Sequence, residues 1–189
     1  MRNIKTFENF NNQDIFTYIE NYDIESVKNY IDSGYDLNKQ NNYGYTPLIY
    51  ATFNIEIVKL LLNAGADINE QGNNGFTALI YTAFHNNIEV FKLLLNANAD
   101  INKQDNNSFT ALIWAAYNNN REMIELLLDY AADEFILNDS DKSFYDYLND
   151  ENKEYFIQKY PTSVYNAISH NYKKSFTEFV KDYNVKNNK

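Results

Sequence analysis

Three stretches of this chain carry nearly the same residues at nearly the same interval: Thr46-Pro-Leu-Ile-Tyr-Ala51, Thr77-Ala-Leu-Ile-Tyr-Thr82 and Thr110-Ala-Leu-Ile-Trp-Ala115, offset by 31 and then 33 positions. A second landmark keeps step with them, in Leu60-Leu-Leu-Asn-Ala-Gly-Ala-Asp67, Leu93-Leu-Leu-Asn-Ala-Asn-Ala-Asp100 and Leu126-Leu-Leu-Asp-Tyr-Ala-Ala-Asp133, with an earlier echo in Tyr30-Ile-Asp-Ser-Gly-Tyr-Asp36. A fixed period of this length signals stacked supersecondary units, none of which buries its apolar face alone.

The spacing inside a unit predicts two helices. Leu79, Thr82 and Ala83 fall on one face of the first, and Ile88, Phe91, Leu94 and Leu95 on one face of the second. Thr46, Thr77, Thr110 and Ser143 precede the first helices, where a hydroxyl can accept from an otherwise unpaired backbone N–H. Gly44 and Gly75 supply the turn two residues earlier. The second helices end at Gly34, Gly65 and Asn98, residues suited to a left-handed cap, and Ala131 in the same slot is expected to be strained. The recurring Asp36, Asp67, Asp100 and Asp133 fall at the next turn, where short polar side chains bond the local backbone.

These residues resemble the ankyrin repeat, a β-turn, a Thr-Pro-Leu-His segment, two antiparallel helices and a Leu-Leu-x-x-Gly-Ala-Asp-x-Asn close. The resemblance implies an all-α solenoid of stacked helix-turn-helix units with β-turn tips. It predicts an ankyrin domain over 1–160, with repeats at 36–66, 67–99 and 100–132, a divergent first repeat over 1–35 and a divergent last one over 133–160. Capping units of this kind are expected at the ends of such arrays. Two departures are visible. Ile49, Ile80 and Ile113 stand where the family has histidine, so apolar packing must replace its hydrogen bond. Repeat 36–66 is two residues short between its helices, Phe53-Asn-Ile-Glu56 against Phe84-His-Asn-Asn-Ile-Glu89, which predicts a tight loop or an early helix end and a local notch.

After Pro161 the residues Val164, Ile168, Tyr172, Phe176, Phe179, Val180 and Tyr183 follow three- and four-residue steps. This predicts a helical extension over 161–189 that seals the stack, with a separate partner-binding helix as the alternative and disorder over 184–189.

Composition narrows the chemistry. The chain has 189 residues and no cysteine, so thiol nucleophiles and Cys-ligated zinc are excluded, and His85 and His170 carry no catalytic or metal motif around them. No glycine-rich phosphate loop occurs among the 5 glycines. A non-enzymatic protein without cofactor or metal is expected. The formal charge of -10, with a basic excess only in the segment from Lys173 onward, disfavours nucleic acid and anionic membranes and favours a basic partner. Residues 1–5 lead into no apolar stretch, which predicts a soluble, cytoplasmic chain or one delivered into a host cell. Asparagine is over-used, at 32 residues, for which codon bias is the simplest reading.

What remains is a surface. In the ankyrin family the turn tips and the outer end of the first helix form a concave recognition face, and the matching slots here are Tyr43, Tyr45, Asn74, Phe76, Phe84, His85, Asn107, Phe109 and Tyr117, with Phe53 in the shortened unit. So aromatic a row suggests binding of a protein or peptide, rimmed by asparagines. Replacing Phe76, Phe109 and Tyr117 together by Ser is expected to abolish binding without loss of helix. A second row, Tyr50, Tyr81, Trp114 and Tyr147, is expected to pack between helices. Three alternatives stay open: rings lying over their own turns, a self-associating scaffold in place of a monomer, and a C-terminal helix acting on the bound target.

Overall fold

In the computed structural model, which describes residues 14–169, 176 and 178–181, all regular structure among the described residues is helical. Helices α1 (Ile15–Glu20) and α2 (Ile24–Asp32) form a first hairpin. Then come α3 (Pro47–Tyr50) with a 3-10 turn at Ala51–Phe53 and α4 (Ile55–Asn63), α5 (Ala78–Phe84) with α6 (Ile88–Asn96), and α7 (Ala111–Tyr117) with α8 (Arg121–Asp129). A 3-10 turn at Phe144–Tyr147, α9 (Asp150–Lys159) and α10 (Pro161–Ile168) close the array. The expectations for residues 1–5, His170, Tyr172, Tyr183 and 184–189 lie outside the described residues.

The helices begin and end where the chain's capping residues stand. Thr46, Thr77 and Thr110 are buried, and each Oγ1 accepts from the N–H three residues on, of Ile49, Ile80 and Ile113, at 3.2 Å. Ser143 instead donates from its N–H and its hydroxyl to Asp146 Oδ2, at 2.8 and 2.9 Å. The second helices start on asparagine: the side chains of Asn54, Asn87 and Asn120 accept from backbone N–H groups of the first turn. They end on left-handed residues, Gly34, Gly65 and Asn98, and Ala131 takes the same conformation at φ +58° despite its Cβ. Such a residue costs about 1–2 kcal/mol of local strain.

Apolar residues of both helices meet in one continuous core. Leu48, Ile49, Leu79, Ile80, Leu112 and Ile113 line it from the first helices, so the isoleucines that replace the family's histidine are buried as packing groups. Val58, Phe91 and Ile124 face them from equivalent positions of α4, α6 and α8, with Leu61, Leu94 and Leu127 one turn further on. At the C-terminal end α10 packs on α9 and the 3-10 turn, burying Val164 and Ala167.

Polar groups lock the repeats in register. Each of Asn38, Asn69 and Asn102 accepts through its side chain from the N–H of the landmark aspartate one repeat later, Asp67, Asp100 and Asp133, at 2.7 to 2.8 Å. The aspartates, as expected, accept locally from the N–H two residues on. Gln40 and Gln71 reach the carbonyls of Gln71 and Gln104. These amides give backbone groups partners across the repeat boundary. Much of the asparagine excess therefore has a structural role.

The turn tips are joined as well: the N–H of Asn73, Asn106 and Asp139 donates to the carbonyl of Gly44, Asn74 and Asn107 in the preceding tip. Gly75 has φ +77°, and a Cβ there would stand 2.6 Å from the Asn106 nitrogen, so both conformation and close approach require glycine. Ser108 and Asp141 hold the same slot with positive φ in the later repeats, and the Ser108 hydroxyl bonds Asp139.

Candidate functional site

The first helices and the turn tips carry an unbroken ladder of rings. It runs from Phe16 to Tyr50, then Tyr45, Tyr81, Phe76, Trp114, Phe109 and Tyr147, with neighbouring centroids 4.6 to 6.5 Å apart. Beyond Phe16, two sequence positions build it. One is the residue before the capping hydroxyl (Tyr45, Phe76, Phe109), and the other is the fourth residue after that hydroxyl (Tyr50, Tyr81, Trp114, Tyr147). Because each ring before the hydroxyl touches one in the next repeat, with Tyr45 meeting Tyr81 at 5.6 Å, Phe76 meeting Trp114 at 5.9 Å and Phe109 meeting Tyr147 at 5.5 Å, these rings bridge repeats and do not simply lie over their own turns.

The expected exposure of Phe76 is corrected. It is only 8% exposed, walled in by Phe84 at 5.6 Å and by Trp114 of the next repeat at 5.9 Å. Its flanks are closed by rings on both sides, so it is part of the support. Replacing Phe76 by Ser would open a cavity, and the Phe76/Phe109/Tyr117 substitution cannot separate binding from folding. Tyr45 and Phe109 are half-buried.

On this face, exposed rings close the first helices. Phe53 (58% exposed), Phe84 (39%) and Tyr117 (56%) occupy the same slot in successive repeats, and Tyr43 at a turn tip is 81% exposed. His85 lies between two of them, 5.4 Å from Phe53 and 4.8 Å from Phe84, with its ring tilted against Tyr81 at 4.4 Å. Burial against these rings lowers its pKa, so the imidazole is neutral at physiological pH. Burial, followed by the neighbouring Tyr45, raises the Tyr81 pKa, which keeps that phenol a neutral donor.

Asn74 and Asn107 are exposed at the tips, as expected of a rim. The Asn74 side chain also has work within its own turn, accepting from the Phe76 N–H at 3.1 Å. Two other residues, which sequence reading passed over, orient the ladder. Asp105 is buried; its Oδ1 accepts from the N–H of Asn107 and Phe109, and its Oδ2 accepts from Trp114 Nε1 at 2.9 Å. Asn138 repeats the design, accepting from Ser140 and Lys142 and donating to the Tyr147 hydroxyl at 2.6 Å. Asn41 accepts likewise from Tyr43 and Tyr45. The signal was present as a polar residue five places before the capping hydroxyl, Asn41, Asp105 and Asn138, but Gly72 interrupts it in the repeat between.

What the arrangement offers is apolar ring area held by buried carboxylate and amide groups. Among the described residues no cluster of three or more His, Asp or Glu side chains is placed to hold a metal, and no helix is long and apolar enough to cross a membrane.

Stacked helical hairpins with hydrogen-bonded turn tips define a repeat solenoid, whose side chains of variable identity sit on a common frame. A family model for ankyrin repeats, in three copies, matches residues 15–105, 53–141 and 92–188, and the chain belongs to the ankyrin-repeat family. Comparison with curated proteins finds no match. Ankyrin repeats generally mediate protein–protein interaction, and the family is typically non-enzymatic.

Proposed function

We propose that this chain is a non-enzymatic recognition module that binds a protein or peptide segment on the face carried by its turn tips and first helices. The observation that carries the reading is the row of exposed rings at one repeated slot, Phe53, Phe84 and Tyr117, with Tyr43 and His85 beside it. Exposed aromatic area of this kind marks interaction surfaces, because a ring buries much apolar area with little loss of rotamer freedom. Tyr45, Phe76 and Phe109 act beneath it as supports, and Asn74 and Asn107 form its rim. The charge of -10 favours a basic partner and a salt-sensitive association rate.

The test uses the wild type and a Tyr43/Phe84/Tyr117 triple-Ser variant, each checked for native helical content and monomeric mass. Both are offered to lysate of the source cell or host, and captured proteins are identified by mass spectrometry. A partner retained by the wild type and lost by the variant supports the reading. Equal capture by both, or a dimer that persists on dilution and dissociates in the variant, overturns it.

A further inference from the structure

Where the α3–α4 hairpin is two residues shorter than α5–α6, the surface is indented. A cavity of about 280 Å³ lies between the end of α1, the 3-10 turn at Ala51–Phe53 and α5. Buried Ile19 and Ala51 line it together with the rings of Tyr22, Tyr50, Phe53 and Tyr81, and Glu20 and Asn54 are its polar groups. Small-molecule sites usually offer about 300–1,000 Å³. This space falls just below that range and suits one long side chain better than a cofactor.

Glu20 supplies the charge. Its neighbour Asn54 is committed elsewhere, accepting from the N–H of Glu56 and Ile57 to cap α4. Among the described residues Glu20 enters none of the salt bridges, which join Lys92 to Glu122, Arg121 to Glu151 and Lys159 to Glu125. Seven carboxylates against three lysines occupy 14–66, so the surrounding field is negative too. The Asn87 side chain, which donates to the Thr52 carbonyl at 2.7 Å, braces the 3-10 turn from the following repeat.

Tyr22 is the second observation. It is 60% exposed and has φ +56°. The same slot, between the C-cap of a first helix and the N-cap of a second, holds Asn86 and Asn119 in the regular repeats, also with positive φ. Asparagine tolerates that conformation and a bulky ring does not. Strain kept where a common residue would relieve it points to a use for the ring, and this ring stands at the cavity's edge.

We propose that this cavity receives a lysine side chain of a bound partner. The methylene stem lies against Ile19, Ala51 and the ring faces, and the ammonium sits among the rings of Tyr22, Tyr50, Phe53 and Tyr81 within reach of Glu20. Ring faces attract a cation through their quadrupole, and a compact ammonium can sit among several ring faces at once, whereas a planar guanidinium stacks flat against one. The proposal rests on the reading of the chain as a protein-binding module and adds the chemistry of one anchor.

The probe is Nα-acetyl-lysine methylamide, with the norleucine analogue as its uncharged counterpart, titrated into the full chain and followed by heteronuclear NMR. Saturable shifts at Glu20, Tyr22, Tyr50, Phe53 and Tyr81 are expected with the lysine probe. Removal of the ammonium, or Glu20→Gln, should weaken binding about fivefold or more, the scale of one ion pair near water. Tyr22→Asn should weaken it while raising the melting temperature, a pairing that a merely structural Tyr22 would not produce. Equal binding of norleucine, or no shift at these residues with the lysine probe at about a hundred times the protein concentration, overturns the proposal. The Tyr43/Phe84/Tyr117 variant leaves the cavity lining intact. If it loses the partner but the lysine probe does not bind, only the anchor is wrong; if the probe binds but capture is unchanged in the variant, the face is wrong.

Discussion

The hairpins α3–α4 and α5–α6 solve the same packing problem with different numbers of residues. In the longer one α5 runs for 7 residues, His85 ends it, left-handed Asn86 turns the chain and Asn87 caps α6. In the shorter one α3 stops after 4 residues and a 3-10 turn tightens the rest, so that Asn54 caps α4 directly at φ -132°. The second helices are untouched at 9 residues each. The deletion is absorbed where the chain faces outward, because losing two residues from the second helix would rotate its buried side chains out of the core. One carbonyl shows how the stack adapts. Ala83 O accepts from Asn118 of the next repeat, while its counterpart Thr52 O accepts from Asn87, a residue in a different slot.

The comparison is broken most forcefully in the core. Leu61→Ala and Leu94→Ala empty equivalent, fully buried positions, and each should cost about 2–5 kcal/mol in urea unfolding. A cost for Leu61 well below that for Leu94 would show that the short repeat is loosely packed. The next largest effect concerns the loop. Asn87→Ala removes both the cap of α6 and the bond to Thr52 O, and should cost about 1–2 kcal/mol, more than Asn120→Ala, whose side chain caps α8 but reaches no backbone carbonyl of the preceding repeat.

Smaller effects sharpen the strained positions. Ala131→Gly should raise stability by up to about 1 kcal/mol, and Tyr22→Asn should also raise it, whereas Asn86→Gly should change it by only about a few tenths. Destabilisation by Ala131→Gly would mean that the alanine methyl earns more in packing than it loses in strain. The smallest effect is in the loop that the short repeat lacks. Burial holds His85 below the ordinary imidazole value of about 6.5, so the folded chain favours the neutral ring. Its contribution is whole above that value and is lost as pH falls through it toward the lower folded value. His85→Asn should therefore flatten a slight decline in melting temperature between about pH 7 and pH 5.

Much of this protein is local, and local features were legible. Thr46, Thr77 and Thr110 cap helices through atoms three residues away, the landmark aspartates bond two residues on, and Gly34, Gly65, Asn98 and Ala131 take the left-handed conformation their period demands. Such interactions depend on residue type and short spacing, so the chain repeats them visibly. The notch was legible for the same reason, as a missing pair of residues in an otherwise constant interval. Tertiary structure decided what happens between repeats. Phe76 reads like Tyr45 and Phe109, yet it is buried because Phe84 and Trp114 close over it, and Trp114 is placed by a carboxylate, Asp105, that looks in sequence like any turn residue. The asparagines that hold one repeat to the next act across 29 to 35 positions, and the rings around the cavity come from three successive hairpins. Their contacts follow from how far each hairpin is offset from its neighbour when the core closes, a geometry that residue spacing alone does not contain.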